Sequence, residues 1–152
     1  MSVMFSEWKK WDKRKQLNGL KFPGVYILAI TEQDIEEKEF SWLKEIVYVG
    51  MTNSKKGLSG RFYQFDRTIR GYTGHGGAKR FKYDYSDYKE LKSNLFVSTR
   101  YFECQNKIYP PRVGDLLVKG EVAKYEYVCI AEYMKRFNRL PKYNDTKNSP
   151  KK

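Results

Sequence analysis

The sequence predicts one domain of the mixed α/β class, and two kinds of local pattern support this prediction. Runs rich in β-branched and aromatic residues at 25–30, 46–49 and 95–104 are typical of strands. Apolar residues at helical spacing, from Leu58 to Ile69 and again from Val118 to Tyr133, indicate amphipathic helices. A chain of 152 residues is long enough to bury a core without disulfides or a structural metal. We therefore expect residues 1–152 to form a single domain of strands covered by helices.

The charge of the chain favours a polyanionic partner. Thirty Lys and Arg residues against 18 Asp and Glu give a net charge of +12, and 16% of the residues are aromatic. A basic surface of this kind attracts nucleic acid, although an excess of one charge also serves solubility. Cys104 and Cys129 are isolated, which is typical of a reducing compartment. The sequence has no apolar run long enough for a membrane span and no secretory signal, so we expect a cytoplasmic protein without a membrane partner.

The N-terminal segment, residues 1–22, is predicted to form a basic helix. Ser6 can cap its first turn, and the regular part would end near Leu17. On such a helix Trp8 and Trp11 pack on one side, while the basic residues between 9 and 15 stay solvated. The helix either covers the core or serves as an arm that contacts nucleic acid.

Two of the predicted strands are separated by an acidic connection. The first run follows Pro23 and extends from Val25 to Ile30, and the second extends from Ile46 to Val49. Between them, residues 32–39 carry five carboxylates in an otherwise basic chain. We expect this acidic segment to be a solvated connection that faces away from any bound nucleic acid.

The first amphipathic helix carries an arginine at the edge of its apolar stripe, which runs from Leu58 to Ile69. Arg61 lies about 100° from Phe62 around the helix axis, so its charge can reach out of the core. The glycine-rich stretch 71–77, which contains the single histidine His75, is predicted to be a loop. The third strand and two consecutive prolines then lead to the last helix.

The last predicted helix, from about Asp115 to Asn138, presents three glutamates near its apolar stripe. Glu121 and Glu132 share one edge of that stripe, but they are about 16 Å apart along the axis. Glu126 lies on the opposite edge, about 120° from Glu132. Only one of these carboxylates can therefore lie at a given metal ion, and the periodicity does not determine which one.

Five short elements occur in order along the chain. Two aromatic strings, Gly24-Val25-Tyr26 and Tyr48-Val49-Gly50, are followed by Arg61 in the first helix. Glu132 and Asn144 close the series twelve residues apart, and Pro-Lys-Tyr leads into the asparagine. Together these elements resemble the GIY-YIG nuclease family. The resemblance covers residues 24–144.

The resemblance implies a small fold in which a central antiparallel sheet of three strands is flanked by helices, with residues 24–144 as the catalytic core. We expect residues 145–152 to form a flexible basic tail. The same resemblance implies a metal-dependent endonuclease that hydrolyses phosphodiester bonds of double-stranded DNA, either of restriction type or from a mobile element. The cofactor would be Mg²⁺ or another divalent cation such as Mn²⁺, and a homodimer could add specificity. The alternative is a non-catalytic nucleic-acid-binding module that retains the nuclease fold.

The resemblance also assigns a role to each of the five elements. Tyr26 would accept a proton from the attacking water, which a phenol with a pKa of about 10 does poorly unless nearby cations lower that pKa. Arg61 would hold the scissile phosphate through a bidentate contact. Glu132 would bind the metal ion. Tyr48 would position water or phosphate, and Asn144 would bond the backbone to lock the site.

One position departs from the pattern of the family. Many members carry a histidine or tyrosine one helical turn after the arginine, where this chain has Phe65, which cannot transfer a proton. Tyr63 and His75 are the candidates to replace that group. Tyr63 is close to Arg61 in the sequence, whereas His75 lies in a glycine-rich stretch that could approach a phosphate closely.

The basic residues define the expected DNA-binding surface. They lie in the N-terminal segment, at the start of the first helix and after the glycine-rich stretch. Their members are Lys9, Lys10, Lys13, Arg14, Lys55, Lys56, Lys79 and Arg80. With the acidic segment 32–39 on the other side, the surface potential would be two-sided, and DNA would lie against the basic face.

Overall fold

The computed structural model describes residues 5–72 and 76–148. Its strands are β1 (Lys9–Lys10), β2 (Gly24–Ile30), β3 (Ile46–Thr52) and β4 (Leu95–Tyr101). Its α-helices are α1 (Gly57–Ile69), α2 (Gly76–Asp84), α3 (Tyr88–Ser93) and α4 (Val113–Phe137). Two short 3₁₀ helices are Trp11–Gln16 and Lys142–Asn144. Over the described ranges, none of the helices combines the length and the apolar character that crossing a membrane requires.

The strands form one antiparallel sheet in the order β1-β4-β2-β3. Strand β2 has a neighbour on each side, and six of its seven residues are buried. This explains the uninterrupted apolar run that begins at Val25, because a strand covered on both faces needs no polar alternation. The mixed class is confirmed. The sheet in the described residues nevertheless has four strands rather than three, since the N-terminal segment adds β1 at the edge of β4.

The sheet separates two layers of core side chains. Tyr26 and Leu28 lie in one layer, with side chains of α1, α2 and the C-terminal 3₁₀ helix. Val25 and Ile27 lie in the other layer, with side chains of α4. This division follows from the alternation of side chains along a strand. Helices α1 and α4 thus lie on opposite faces, and both contact the outer strand β3, where their polar edges can meet.

The N-terminal segment is not the continuous helix that the sequence predicted. Strand β1 pairs with β4, and only Trp11–Gln16 coil into a 3₁₀ helix. Trp8 consequently lies in the layer of α4, whereas Trp11 lies in the layer of α1. A helix would have placed two residues three apart on the same side. Burial of one tryptophan in each layer therefore overrides the local helical pattern.

The acidic segment lies against the basic N-terminal segment, which contradicts the two-sided distribution of charge. Glu37 pairs with Lys9 at 3.3 Å, and Glu36 pairs with Lys13 at 3.3 Å. Glu36 also accepts a hydrogen bond from the backbone N–H of Lys10 at 2.5 Å. These carboxylates therefore neutralise part of the basic run instead of facing away from it.

Helices α2 and α3 lie where the sequence showed no helical pattern. Helix α2 begins within the stretch 71–77 that was expected to be a loop. Phe81 anchors α2 in the core between Phe65 and Tyr143, and Asp87 caps α3 by accepting two backbone N–H groups. The two helices have only nine and six residues. Helices this short depend on packing rather than on propensity, which is why the sequence did not predict them.

Candidate active site

The tyrosines of the two aromatic strings meet on the α1 face of the sheet. Tyr26 of β2 lies opposite Gly50 of β3, and Tyr48 lies opposite Leu28. The ring centroids of the two tyrosines are 6.1 Å apart. Tyr26 is only 1% exposed, so its hydroxyl group lies inside the protein.

The glycines of the aromatic strings make this arrangement possible. A Cβ atom on Gly50 would lie 2.5 Å from both the Cζ atom and the hydroxyl oxygen of Tyr26. A Cβ atom on Gly24 would lie 2.9 Å from Cα of Tyr101 and 3.1 Å from the side chain of Leu58. Any larger residue would therefore displace Tyr26 at the first position, and β4 or α1 at the second.

Helix α1 brings Arg61 to the tyrosine pair. Phe62 packs edge-on against the ring of Tyr26 with 5.3 Å between centroids, which fixes the helix over β2. Arg61 is partly buried, and its guanidinium lies within electrostatic reach of both phenols. Its Nε atom is buried and has no hydrogen-bond partner among the residues that the structure describes.

Glu126 of α4 is the carboxylate that joins this group. Its charge acts on Arg61 and on both tyrosines, although α4 lies on the other face of the sheet. Lys119 lies on the same flank of α4, since seven residues make about two turns. The carbonyl of Lys119 accepts a hydrogen bond from the side chain of Asn53 at 3.0 Å, just beyond β3. The Glu126 flank therefore faces the edge of the sheet that β3 forms.

Glu132, which the family spacing implied as the metal ligand, lies on the other flank of α4. Tyr125 shares that flank and packs on Phe102 and Arg100, at the end of β4. Glu132 itself pairs with Arg136 one turn further on, at 3.1 Å. The structure thus brings Glu126 to the tyrosines and Arg61, and leaves Glu132 apart from them. Spacing along the chain could not show this, because the packing of α4 decides which flank faces β3.

Burial dominates the proton affinities of the two phenols. It raises the pKa of Tyr26 well above its ordinary value, with a further rise from Tyr48 and an opposing effect of Arg61. Burial also raises the pKa of Tyr48, and Glu126 adds to that rise. Arg61 and Arg80 oppose it. Both phenols are therefore protonated at neutral pH, so the cations do not make Tyr26 a ready base.

Burial also dominates the proton affinity of the Glu126 carboxyl group. Burial raises its pKa, and the charge of Arg61 opposes the rise. A half-buried carboxylate gains from a further positive charge nearby. Glu126 is therefore the residue of this group that is suited to a cation.

A second arginine reaches the tyrosine pair from α2. Phe81 packs against Tyr48 at 6.1 Å and against Tyr143 at 4.2 Å, and so holds α2 beside β3. The neighbouring Arg80 has a buried Nε atom with no hydrogen-bond partner in the described part of the chain, and its charge acts on Tyr48. The sequence marked Arg80 only as a DNA contact, because α2 was not predicted. We call Tyr26, Tyr48, Arg61, Arg80 and Glu126 the edge site.

The C-terminal 3₁₀ helix holds β3 in place beside the edge site. The side chain of Asn144 accepts a hydrogen bond from the backbone N–H of Val49 at 2.8 Å and donates one to its carbonyl at 2.9 Å. Tyr143 donates its hydroxyl proton to Asp84, the last residue of α2, at 2.6 Å. Strand β3, α2 and the C-terminal segment are thereby joined into one support.

The positions considered for proton transfer lie in different places. Phe65 is fully buried and packs on Phe81, so it is a core residue. Tyr63 is 63% exposed and lies about 200° from Arg61 around α1, which turns it away from the edge site. His75 lies outside the described residues, as do the last four residues of the tail predicted at 145–152.

Of the four DNA contacts predicted in the N-terminal segment, all but Lys10 pair with carboxylates through their side chains. Lys9 and Lys13 pair with the acidic segment, and a guanidinium nitrogen of Arg14 lies 3.6 Å from a carboxylate oxygen of Asp66. Arg14 also covers the ring of Trp11 at 4.6 Å. These side chains join parts of the fold, which makes them poor candidates for DNA contacts.

The exposed basic residues gather instead around the start of α1. Lys55 and Lys56 are exposed there, and a groove of about 650 Å³ runs beside them. Asn106 joins the neighbouring chain segments, because its side chain donates to the carbonyl groups of Lys21, Ser54 and Lys55. The groove is lined by Leu20, Lys21, Lys56, Ser59, Gly60, Tyr63, Gln64 and Lys107. Lys79 is exposed on α2.

The described residues contain no group of three or more His, Cys, Asp or Glu side chains placed to hold a metal ion. Mg²⁺ does not require one, because it keeps several water ligands and binds through one or two carboxylates together with substrate phosphates. A lone carboxylate such as Glu126 next to a phosphate-binding arginine fits that mode of binding. It does not fit a metal such as Zn²⁺ in a closed protein cage.

The described structure is thus an α+β domain with two phenols, two guanidiniums and one carboxylate at the edge of its sheet. Comparison of the chain with models of known families, with curated proteins and with solved structures finds no significant match. Function is therefore inferred from the residues of this chain and from their geometry.

Proposed function

We propose that this protein is a metal-dependent endonuclease that hydrolyses phosphodiester bonds of double-stranded DNA, of restriction type or from a mobile element. One observation carries the proposal. At the edge site, Arg61 and Arg80 each bury an Nε atom that has no hydrogen-bond partner among the described residues. Leaving one buried polar group unpaired costs about 1–3 kcal/mol. Two such donors beside one pair of tyrosine rings favour a ligand with several acceptor oxygens, such as a phosphodiester.

The two guanidiniums suit the centre of such a reaction. Phosphodiester hydrolysis builds negative charge on the phosphate oxygens, and preorganised cations stabilise that charge. A planar guanidinium can hold two oxygens at once, which an ammonium group cannot do. We assign the scissile phosphate to Arg61, with Arg80 as a second contact from α2.

The two phenols act in their protonated form. Because burial raises the pKa of both Tyr26 and Tyr48, each carries its hydroxyl proton at neutral pH. A phenol hydroxyl donates one hydrogen bond and also accepts, so it can orient an attacking water against a phosphate oxygen. The hydroxyl of Tyr26 is well suited to this positioning, since the close packing against Gly50 fixes it.

Glu126 would hold the divalent cation, Mg²⁺ or Mn²⁺. Its half-buried carboxylate lies on the flank of α4 that faces β3, and its charge reaches Arg61. When bound, such an ion polarises the phosphate and supports the leaving oxygen. Glu132 fits this role less well, because Arg136 already neutralises it on the other flank.

The groove beside α1 is a second basic surface, on the side of the helix that faces away from Arg61, and we assign it to flanking phosphates of the duplex. Lys21, Lys56 and Lys107 line it, and Tyr63 contributes an aromatic ring. Lysines neutralise backbone phosphates and so position a duplex without reading its sequence. The net charge of +12 supports the same partner. A non-catalytic nucleic-acid-binding module would use this groove as well, but it would have no need of the edge site.

Cleavage of supercoiled plasmid DNA tests the proposal. The wild-type protein is expected to produce nicked and linear DNA with Mg²⁺ and none with a chelator. Glu126→Gln should abolish cleavage, because the amide keeps the size of the side chain but removes the charge that a hard cation needs. Its DNA binding, measured by fluorescence anisotropy, should persist. Glu132→Gln is the matched control on the same helix and should cut at nearly the wild-type rate.

The possible results separate the alternatives. If the wild-type protein binds the plasmid but leaves it intact with both Mg²⁺ and Mn²⁺, it is the non-catalytic binding module. If Glu132→Gln is the inactive variant, the metal carboxylate is the one that the family spacing implied. If the protein neither binds nor cuts DNA, both functions are wrong.

A further inference from the structure

The outward face of helix α1 carries aromatic rings and cations in one line. Its residues are Lys56 at the N-cap, Gly60, Tyr63 and Arg67 on the helix, and Tyr72 just after it. We call these five residues the tyrosine face. The members from 56 to 67 are three or four residues apart, so they fall within about 60° around the helix axis. The buried side of α1 points toward the sheet, which leaves the tyrosine face open to solvent.

Two exposed rings on this face are joined by one guanidinium. Tyr63 is 63% exposed and Tyr72 is 58% exposed. The Cζ atom of Arg67 lies 5.8 Å from the ring centroid of Tyr63 and 4.5 Å from that of Tyr72. A cation within about 6 Å of a ring centroid is attracted to the ring. Arg67 thus positions both rings, and most of their surface remains accessible to a ligand.

The surroundings of the tyrosine face are basic. Three lysines, Lys21, Lys56 and Lys107, line the groove beside it, and the described residues of that lining include no Asp or Glu. The single carboxylate of α1, Asp66, is only 7% exposed and accepts a hydrogen bond from the indole of Trp11. Positive charge on this side of α1 is therefore not neutralised by the helix. The ligand that fits is an anion that also presents flat rings.

We propose that the tyrosine face binds an unpaired strand of DNA, with bases stacked on Tyr63 and Tyr72 and phosphates on the groove lysines. In a duplex the faces of the bases are covered by their neighbours, so a protein contacts phosphates and the edges of the bases. A ring can stack on a base only where the strand is unpaired. A positively charged groove combined with exposed aromatic rings is the arrangement by which proteins hold single strands.

The dimensions of the tyrosine face suit a short segment of such a strand. Lys56 and Arg67 are about 16 Å apart along the helix axis. At about 3.4 Å per stacked nucleotide, this length corresponds to about four or five nucleotides. Arg61 lies about 130° away from the midline of the tyrosine face around α1. The inference therefore goes beyond the proposed cleavage of duplex DNA, because it concerns a surface that contains none of the edge-site residues.

Fluorescence anisotropy with two single-stranded probes of about 12 nucleotides tests the proposal. One probe is oligothymidylate, and the other is an abasic oligonucleotide with the same number of phosphates. The full chain is kept in chelator, so that metal-dependent cleavage does not consume the probes. The wild-type protein should bind oligothymidylate at least about fivefold more tightly than the abasic probe, which is the gain expected from one base stacked on a ring.

Variants of the two tyrosines separate stacking from attraction of charge. Tyr63→Ala and Tyr72→Ala should each weaken the binding of oligothymidylate by about fivefold or more and leave the affinity for the abasic probe unchanged. Their slopes of log affinity against log salt should equal that of the wild-type protein, because the phosphate contacts remain. Tyr63→Phe keeps the ring and should bind both probes as the wild-type protein does.

The matched control is Tyr127→Ala, which removes a tyrosine that is 74% exposed on α4, on the opposite face of the sheet. It should leave both affinities unchanged, and circular dichroism checks that each variant folds. Equal binding of the two probes by the wild-type protein overturns the inference, since the groove would then bind charge alone, as it would an acidic peptide. A loss with Tyr63→Phe as large as that with Tyr63→Ala overturns it as well. Plasmid cleavage is assayed separately, so failure of this binding site and failure of the proposed nuclease activity are distinguishable.

Discussion

Tyr26 occupies its position because the residue opposite it on β3 has no side chain. Gly50 leaves room for the phenol ring to lie across the strand. The hydroxyl group of Tyr26 therefore lies close to Tyr48 and within electrostatic reach of Arg61. At the scale of single residues, the glycines of the aromatic strings thus shape the site as much as the groups that carry chemistry. Neither glycine of these strings has a positive φ, so steric room rather than backbone freedom accounts for them.

Gly50→Ala should therefore destabilise the protein and displace Tyr26. Forcing one extra methyl group into a packed region costs about 1–3 kcal/mol. Urea unfolding followed by circular dichroism measures this free energy. Gly114→Ala is the matched control, because a Cβ atom there meets no atom within 4 Å. In helix α4 that change should be neutral or stabilise by up to about 1 kcal/mol. Equal effects at the two positions would contradict the steric account of Gly50.

Arg61→Lys should impair cleavage although it keeps the charge. A lysine ammonium is a point charge and cannot form the bidentate contact with a phosphate. Loss of one stabilising donor in a reaction centre costs on the order of 10²-fold or more in kcat. Arg67→Lys, on the same helix, is the control and should leave the rate unchanged within about twofold. Similar rates for the two variants would reduce Arg61 to a surface charge.

Asp66 joins three elements that are distant in the sequence. Its carboxylate accepts hydrogen bonds from the indole of Trp11 at 2.7 Å and from the hydroxyl of Tyr88 at 2.8 Å. Arg70 donates to it at 2.6 Å, and Arg14 lies 3.6 Å away. Through this one side chain, α1 holds the N-terminal 3₁₀ helix and α3. At the scale of elements, the contacts of Asp66 with Trp11 and Arg14 hold the N-terminal segment against α1.

The stability of the protein should therefore depend on the ionisation of Asp66. Burial alone would raise its pKa, but hydrogen bonds from Trp11, Arg70 and Tyr88 outweigh burial and hold that pKa below its ordinary value. A carboxyl group whose pKa is lower in the folded state stabilises the fold at pH values above its unfolded pKa of about 3.9. That contribution is lost as the pH falls through the folded pKa.

Asp66→Asn tests this dependence. At pH 7 the variant should lose about 1.5–3 kcal/mol in free energy of unfolding, because hydrogen bonds to a charged group become neutral ones. Below about pH 3 the difference from the wild-type protein should shrink. Urea unfolding at both pH values measures it. Asp12→Asn, at an exposed pair with Lys92, is the control and should change little at either pH. A difference that does not depend on pH would show that Asp66 acts through shape alone.

At the scale of the whole molecule, the fold redistributes the charge of the sequence. The acidic segment neutralises Lys9 and Lys13, so the N-terminal basic run contributes less field than its sequence suggests. Lys55 and Lys56, together with the lysines that line the α1 groove, keep their positive charge exposed. The face that attracts DNA is therefore expected around α1 and the edge site, not at the N-terminus.

The salt dependence of DNA binding tests this map of charge. Each phosphate neutralised contributes about 0.9 to the slope of log affinity against log salt. Replacing Lys55 and Lys56 by alanine should therefore lower the slope by up to about 1.8. Replacing Lys9 and Lys13 by alanine should leave the slope nearly unchanged. Fluorescence anisotropy of the Glu126→Gln protein on duplex DNA, across a salt series, measures both. A flat slope in the parent protein would contradict a nucleic-acid partner altogether.

The strongly patterned elements could be predicted from the sequence. Strands β2, β3 and β4 overlap the three runs predicted at 25–30, 46–49 and 95–104, and helix α4, predicted at about 115–138, is observed at 113–137. Their patterns are long enough for periodicity alone to define them. The side chain of Asn144 bonds the backbone N–H and carbonyl of Val49, and its part in a catalytic site stays a prediction.

Only the tertiary structure decided which polar groups meet. Helix α2, which carries Arg80, forms because Phe81 packs between core rings, and no local pattern encodes that contact. Glu126 and Glu132 likewise flank the buried stripe of α4 on opposite sides. The rotation of α4 about its axis as it packs on the sheet determines that Glu126, rather than Glu132, faces β3. Periodicity depends on residues near in sequence, so it gives the face of each element that is buried. The partner of an edge residue depends on contacts between distant segments, which the folded chain alone establishes.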